Sequence, residues 1–167
     1  TSEVYGSADY VPMTEKHRLN AQSPYAASKT AADQLSLSFF NSFQVPLTII
    51  RPFNTYGPRQ SARAVIPTII TQIKGGKNTI KLGSTHTTRD FSYVEDTVEG
   101  LILASKPNIA LGKTLNLGSN FEISVLETAE LISNIMGIDL SIDLDNQRKR
   151  PKNSEVDRLF SDNSKSK

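Results

Sequence analysis

The stretch Pro46–Arg51, PLTIIR, decides the fold class. It is short, apolar and rich in β-branched side chains, which predicts a strand buried on both faces, as in a parallel sheet. A helix is predicted over residues 24–43, because apolar side chains recur there at turn spacing. Alternating helices and parallel strands are typical of α/β proteins, so the sequence predicts an α/β fold.

The rest of the chain continues this alternation. Residues 6–23 are predicted to be a polar loop. Residues 52–59 also predict a loop, because they contain two prolines and a glycine. From residue 145 the chain is polar and weakly patterned. The other predicted elements are a strand end at 1–5, helices at 65–74, 95–106 and 124–137, and strands at 79–82, 90–94, 114–117 and 138–144.

Composition excludes several classes of function. The 167 residues are 37% hydrophobic and 22% charged, as in an ordinary globular domain. The net charge of +2 is too small to indicate a nucleic-acid partner, and no apolar run approaches a membrane span. The absence of cysteine excludes disulfides and thiolate nucleophiles and is typical of the cytoplasm. His17 and His86 lack partners at metal-ligand spacing, so no metal site is predicted.

The stretch Ser23–Lys29, SPYAASK, places a phenol and an amine four residues apart at the start of a predicted helix. Ser23 suits the cap and Pro24 the first turn. At this spacing Tyr25 and Lys29 lie on one face, where the ammonium favours the phenolate and could make the tyrosine a base. Such pairs also occur on solvated helix faces, so this pair alone is weak evidence.

A second polar group, Thr1-Ser2-Glu3, lies at the predicted carboxyl end of a strand. Ligands bind at this edge of open α/β sheets. In isolation, polar residues at a strand end more often cap backbone groups. Together with Tyr25 and Lys29, however, these side chains predict a site at one sheet edge.

These motifs, in this order, resemble the extended short-chain dehydrogenase/reductase superfamily, in its NAD-dependent nucleotide-sugar epimerase/dehydratase family. The chain is most similar to the nucleotide-sugar 4,6-dehydratases, because Glu3 occupies the position of their carboxylate base. The stretches that extend the resemblance are RPFNTYGPRQ at 51–60, AVIP at 64–67, RDFSYVED at 89–96 and RPKNSEVDRL at 150–159.

The resemblance implies the C-terminal part of a Rossmann-type doubly wound parallel sheet plus a small α/β substrate-binding lobe. Residues 1–60 would belong to the dinucleotide-binding domain and residues 61–167 mainly to the lobe, with elements near 90–110 returning to the Rossmann domain. The glycine-rich phosphate loop of the family would precede Thr1. The chain is therefore expected to be an internal piece of a longer protein.

The resemblance also implies four catalytic residues and an NAD cofactor. Tyr25 as phenolate would take the proton of the C4 hydroxyl while a hydride passes to NAD⁺. Lys29 would keep Tyr25 anionic and bond the nicotinamide ribose, and Thr1 would bond the C4 oxygen. The resulting ketone acidifies the C5–H, which Glu3 would abstract before water leaves from C6. The sequence leaves the choice between NAD and NADP open.

Ser2 bears on the substrate. The dTDP-glucose type of dehydratase has an aspartic acid at this position, which protonates the departing hydroxyl, whereas the GDP-mannose type has a serine. Ser2 therefore argues against dTDP-glucose and leaves the proton donor open. The stretches SARAVIPTIITQI and RPKNSEV are similar to dehydratases that act on UDP-N-acetylglucosamine and related nucleotides.

Four further residues resemble the substrate-binding positions of the family. Asn54 corresponds to the asparagine that bonds the sugar diphosphate, although an Asn in a loop commonly forms a turn. Arg89 and Arg150 correspond to the arginines that clamp the diphosphate, although a single arginine is more often in a surface ion pair. Val65 lies where the family contacts the nucleotide base, although an apolar helix residue is usually core.

Three alternatives remain. UDP-glucuronate decarboxylase shares the C4 oxidation but differs in the loop before the catalytic tyrosine, and a 4-epimerase is disfavoured by Glu3. The third is a non-catalytic nucleotide-sugar-binding fragment. The resemblance implies a homodimer paired through the Tyr25 helix. The isolated chain is expected to be inactive, with the faces of Ile49, Ile50 and this helix partly uncovered.

Overall fold

The computed structural model describes residues 1–106, 109–148 and 151–167. Within these residues, helices alternate with short strands, which confirms the α/β prediction. None of the described helices is long and apolar enough to cross a bilayer. The helices are α1 (Pro24–Phe43), α2 (Val65–Lys74), α3 (Val94–Ala104) and α4 (Val125–Met136).

The described strands pair two by two. They are β1 (Ile49–Pro52), β2 (Asn54–Tyr56), β3 (Thr79–Leu82), β4 (Thr88–Arg89), β5 (Phe91–Tyr93), β6 (Thr114–Leu117), β7 (Ile123–Ser124) and β8 (Ser141–Leu144). β1 runs parallel to β6, β2 to β5 and β3 to β8. Only the short pair of β4 and β7 is antiparallel among the strands described. The predicted parallel pairing is therefore confirmed.

Helix α1 begins and ends where the sequence predicts. The Ser23 side chain accepts a hydrogen bond from the Ala26 backbone N–H at 3.1 Å, and Pro24 occupies the first turn. Gln44 ends the helix in the left-handed conformation. The outer face is largely uncovered, since Leu35 is 61% exposed. This agrees with the expectation that the apolar stripe of this helix is not fully packed within the chain.

A hydrophobic cluster between α2, β3 and α4, here called the second core, packs the predicted lobe. Ile69, Ile80 and Ala129 are fully buried in it. β3 alternates exposed and buried residues, as a half-buried strand does. α4 opens with the predicted capping box, in which Ser124 and Glu127 bond each other's backbone N–H groups. The elements predicted for residues 65–82 and 124–137 are thus confirmed.

The other cluster, here called the first core, joins both ends of the chain. It contains Val4, Tyr5 and Phe53 together with Val156 and Leu159 of the C-terminal segment. The polar tail predicted from residue 145 therefore carries two core residues. These two core residues were not predicted, because two inward-facing apolar positions are too few to give the tail a recognisable pattern. The division at residue 60 stays a prediction.

Two predictions of local structure are wrong. Ser2–Tyr5 forms a 3-10 turn, here called the first turn, rather than a strand end; Thr1 Oγ1 accepts from the Glu3 N–H at 3.3 Å, and Gly6 closes the turn with a φ of 66°. The loop predicted at residues 52–59 contains β2. Its Asn54 N–H donates to the Asp90 carbonyl at 2.9 Å, so pairing with β5 outweighs the flanking prolines.

Candidate functional site

The exposed face of α1 carries the predicted redox pair. Tyr25 is 52% exposed, Lys29 is also exposed, and the Lys29 Nζ atom lies 5.6 Å from the centroid of the Tyr25 ring. The spacing of four residues thus places both groups together, as predicted. An accessible phenol next to an ammonium provides the two groups that a proton-accepting tyrosine requires.

The first turn, which Thr1 caps, packs against α1, the helix that carries this pair. Thr1 and Glu3 are half-buried.

A separate cleft of about 380 Å³ brings together three predicted substrate-binding residues, Asn54, Val65 and Arg89. They come from β2, the start of α2 and β4, which are distant in sequence. Val65 also packs against the second core, so it serves both as a core residue and as part of the cleft wall. We call this cavity the Arg89 cleft.

The guanidinium of Arg89 is held in a defined direction. Nη1 donates to the Thr88 carbonyl at 2.7 Å, and Nη2 lies 3.6 Å from Glu155 Oε1. The other Glu155 oxygen accepts from Ser84 Oγ at 3.1 Å. Arg89 is thus in an ion pair, but in the wall of a cleft rather than on an open surface. A fixed guanidinium in a cleft suits an anionic ligand group.

Two amide side chains in the cleft have unused hydrogen-bonding capacity. Gln60 donates through Nε2 to the Thr55 carbonyl at 2.9 Å, but its buried Oε1 has no partner. Asn54 Oδ1 is also buried without a partner. Since buried polar atoms are rarely left unpaired, these atoms mark the cleft as a place where a ligand or water completes the bonding.

Several site residues were not singled out from the sequence, although three of them lie inside the quoted stretches. Only the tertiary fold shows that they share one wall. The predicted Arg150 lies outside the described residues. The residues lining the Arg89 cleft do not include Thr1, Glu3, Tyr25 or Lys29. The cleft residues that sequence reasoning missed are Gln60, Arg63, Ser84, Arg148 and Glu155.

The described residues contain no group of three or more His, Cys, Asp or Glu side chains arranged to hold a metal. His17 lies in the loop before α1 and is buried. Its Nε2 accepts from the Asp9 N–H, and its Nδ1 bonds the Arg18 carbonyl, both at 2.9 Å. These contacts give His17 a structural role in the loop before α1.

The α/β architecture with parallel strand pairs is that of a short-chain dehydrogenase/reductase of the nucleotide-sugar epimerase/dehydratase type. The family described as GDP-mannose 4,6 dehydratase matches residues 1–167, and the chain belongs to this family.

Individual relatives agree with this membership. The chain is 36% identical over 147 residues to dTDP-D-glucose 4,6-dehydratase from Dictyostelium discoideum, covering 81% of this chain and 33% of that protein. The structure of dTDP-glucose 4,6-dehydratase from Bacillus anthracis in complex with NAD matches with a TM-score of 0.88 and 28% identity, covering 99% of this chain and 52% of that one. The UDP-glucuronic acid 4-epimerase of Bacillus cereus matches with a TM-score of 0.88 and 26% identity, again covering 99% and 52%. The chain thus spans between a third and a half of the length of these relatives.

Proposed function

We propose that the chain is the catalytic and substrate-binding part of an NAD-dependent nucleotide-sugar 4,6-dehydratase, with UDP-N-acetylglucosamine or a similar nucleotide sugar as substrate. The observation that carries the proposal is the convergence of Asn54, Val65 and Arg89 in one cleft. The activity is assigned to this chain joined to a dinucleotide-binding half like that of its relatives. We call this assembly the intact enzyme.

The residues present suit the nicotinamide end of NAD. Tyr25 and Lys29 are accessible on one helix face and would bond the nicotinamide ribose. When bound, NAD supplies the acceptor for the hydride of C4 and later its source for C6. The phosphate-binding turn of the cofactor would be contributed by the dinucleotide-binding half, since no glycine-rich turn of this kind occurs in the sequence.

The first chemical role of the chain is to activate the C4 hydroxyl. Tyr25 Oη, as phenolate, takes the hydroxyl proton, and the ammonium of Lys29 stabilises the negative charge of the phenolate. Thr1 donates a hydrogen bond to the C4 oxygen and so orients the sugar. Oxidation leaves a ketone at C4, which acidifies the neighbouring C5–H.

The second role is the elimination of water, which we assign to Glu3. Its carboxylate takes the C5 proton, and the C5–C6 double bond forms as the C6–O bond breaks. The departing oxygen needs a proton, and the hydroxyl of the buried Ser2 is too weak an acid to supply it. Glu3 therefore passes the proton it has taken to the C6 oxygen, so that water leaves. The return of hydride to C6 requires one proton at C5, which equals the proton that Tyr25 has taken from the C4 hydroxyl, so the proton count of the whole reaction closes.

The Arg89 cleft would bind the diphosphate and the nucleoside. Arg89 would pair with a phosphate oxygen, Asn54 would bond the diphosphate, and Val65 would pack against the base. Arg150 is proposed as the second clamp on the evidence of its motif alone. The choice of UDP-N-acetylglucosamine rests on Ser2 and on the stretches at 61–73 and 150–156.

An assay of the intact enzyme with UDP-N-acetylglucosamine, dTDP-glucose and GDP-mannose, with NMR spectroscopy of the products, tests the proposal. A 4-keto-6-deoxy product from the first substrate, at the highest kcat/KM of the three, is expected. Preference for dTDP-glucose would contradict the substrate assignment, and retention of the C6 hydroxyl in every product would contradict dehydration.

The second candidate is a 4-epimerase, which the structural match to UDP-glucuronic acid 4-epimerase favours. An epimerase would return the hydride to C4 and leave C6 and C5 unchanged, so the same NMR spectra distinguish the two activities.

We further propose a cytoplasmic homodimer. The apolar side chains that α1 exposes, Leu35, Phe39 and Phe43, support pairing through this helix, which light scattering would test.

A further inference from the structure

Arg51 lies buried between the two elements that carry the proposed catalytic residues. It stands on β1 opposite Asn116 of β6, and its side chain is 5% exposed. Its Nε lies 3.0 Å from Asp33 Oδ2 on α1, and its Nη1 donates to Tyr5 Oη at 2.9 Å. One guanidinium therefore contacts α1 and the first turn at the same time.

Asp33 places one of these contacts on the catalytic face of α1. Lys29 follows Tyr25 by four residues and Asp33 follows Lys29 by four, so the three side chains lie along one face. The Asp33 side chain is 17% exposed, and it pairs with Arg51 from this face. Rotation or sliding of α1 would displace the phenol and the ammonium, and the same movement would break the ion pair between Asp33 and Arg51.

Tyr5 places the other contact in the first turn. It is the last residue of the turn and is fully buried. Its hydroxyl accepts from Arg51 and donates to Asn116 Oδ1 at 2.7 Å. Burial raises the pKa of the Tyr5 phenol, which therefore stays protonated and keeps donating at neutral pH. The turn that begins beside Thr1 and includes Glu3 is thus fixed to Arg51 through a neutral hydroxyl.

We propose that Arg51 is a positioning residue that fixes α1 against the first turn and so sets the separation between Tyr25 and Glu3. This inference rests on the proposed function, in which these two side chains act in succession on C4 and C5 of one sugar ring. The planar guanidinium holds two partners in fixed directions, which a lysine does not. Buried ion pairs add little net stability, so we expect this ion pair to act mainly by holding α1 in position.

A double-mutant cycle in the intact enzyme tests the link. Tyr5→Phe and Asp33→Asn each weaken one of the two contacts of Arg51 and largely keep the shape of the side chain. Each is expected to lower kcat about tenfold, because small misplacements of reacting groups are costly. KM should change less than about twofold, since the Arg89 cleft is built from other elements. The double variant should have nearly the kcat of the worse single variant, because both act through Arg51.

Tyr10→Phe is the matched control. It removes an exposed tyrosine hydroxyl bonded to Thr14 in the same loop, and it should leave kcat unchanged. Unchanged kcat in the folded Tyr5→Phe and Asp33→Asn variants, or effects on kcat that multiply in the double variant, would overturn the inference. If Tyr5→Phe does not fold, Asp33→Asn decides alone, because the amide keeps the shape of the carboxylate but lacks the charge that pairs with Arg51.

A second measurement does not depend on turnover. Crystal structures of the intact enzyme and of its Asp33→Asn variant should differ in the distance between Tyr25 Oη and the Glu3 carboxylate, and coincident positions would overturn the inference. Failure of the proposed function would be recognised separately, by the absence of 4-keto-6-deoxy product from the unmodified enzyme. The crystallographic comparison remains valid in that case.

Discussion

Glu155 and Arg89 face each other in the wall of the Arg89 cleft, with Oε1 and Nη2 3.6 Å apart and side chains 15% and 12% exposed. A diphosphate bound to Arg89 would have to share the guanidinium with this carboxylate. Like charges that are partly buried repel each other more strongly than charges in water. Glu155 therefore both orients Arg89 and competes with an anionic ligand.

Replacement of Glu155 by glutamine should tighten the binding of UDP to the intact enzyme. The substitution removes the competing charge, while the amide can still bond Ser84. A partly exposed charge pair is worth up to about 1 kcal/mol, which corresponds to roughly fivefold in Kd. Isothermal titration calorimetry measures the change. Glu130→Gln, an exposed position on α4, is the control, and unchanged or weaker binding by Glu155→Gln would contradict the competition.

Glu3→Gln should separate oxidation from dehydration. Tyr25 and Lys29 remain, so the intact enzyme should still form NADH from its substrate. An amide cannot take the C5 proton, and the loss of a general base costs about a hundredfold or more. Stopped-flow absorbance follows NADH, and NMR spectroscopy follows the 4-keto-6-deoxy product. Glu95→Gln, in the exposed first turn of α3, serves as control. Full product formation by Glu3→Gln would show that another group is the base.

The stability of the chain should depend on pH through Glu122. A hydrogen bond from Arg158, helped by one from Thr88 Oγ1 at 2.6 Å, holds the pKa of Glu122 below its ordinary value of 4.5, despite opposing desolvation. A lowered folded-state pKa stabilises the protein fully above the unfolded value, and this contribution is lost as the pH falls through the folded value.

Glu122→Gln should therefore melt at a lower temperature than the unmodified chain at pH near 7, and the difference should shrink as the pH falls below 4.5. Thermal denaturation followed by circular dichroism measures both melting temperatures. Exposed Glu130→Gln should show no such convergence. A difference in melting temperature that stays constant as the pH falls below 4.5 would exclude Glu122 as the titrating group.

Local sequence patterns predicted the elements whose ends or faces are marked by residues close in sequence. α1 has a cap, a proline in its first turn and a long apolar repeat, and α4 has a capping box. β3 alternates apolar and polar side chains. In contrast, β2, β4 and β7 are two or three residues long. Such short strands exist because a partner strand satisfies their backbone groups, and that partner is not encoded nearby.

The residues of the candidate site also fall into two groups, those that a local sequence pattern predicts and those that only the tertiary fold brings together. The Tyr25–Lys29 pair follows from helical spacing alone and was predicted. The cleft residues Gln60 and Glu155 come from segments far apart in sequence, and no local pattern relates them. Ser161 shows the same limit, because its backbone and side chain bond the fully buried Asp90 carboxylate across 71 positions. Only the tertiary fold brings such partners together.

The chain alone should show no NAD-dependent turnover with any of the three nucleotide sugars. It contains no glycine-rich phosphate turn. Purified chain is assayed for NADH formation, while the intact enzyme serves as positive control under the same conditions. Urea denaturation of both samples separates a lack of activity from a lack of folding. Measurable turnover by the chain alone would show that residues 1–167 bind the cofactor unaided and would overturn the assignment of the phosphate-binding turn to another segment.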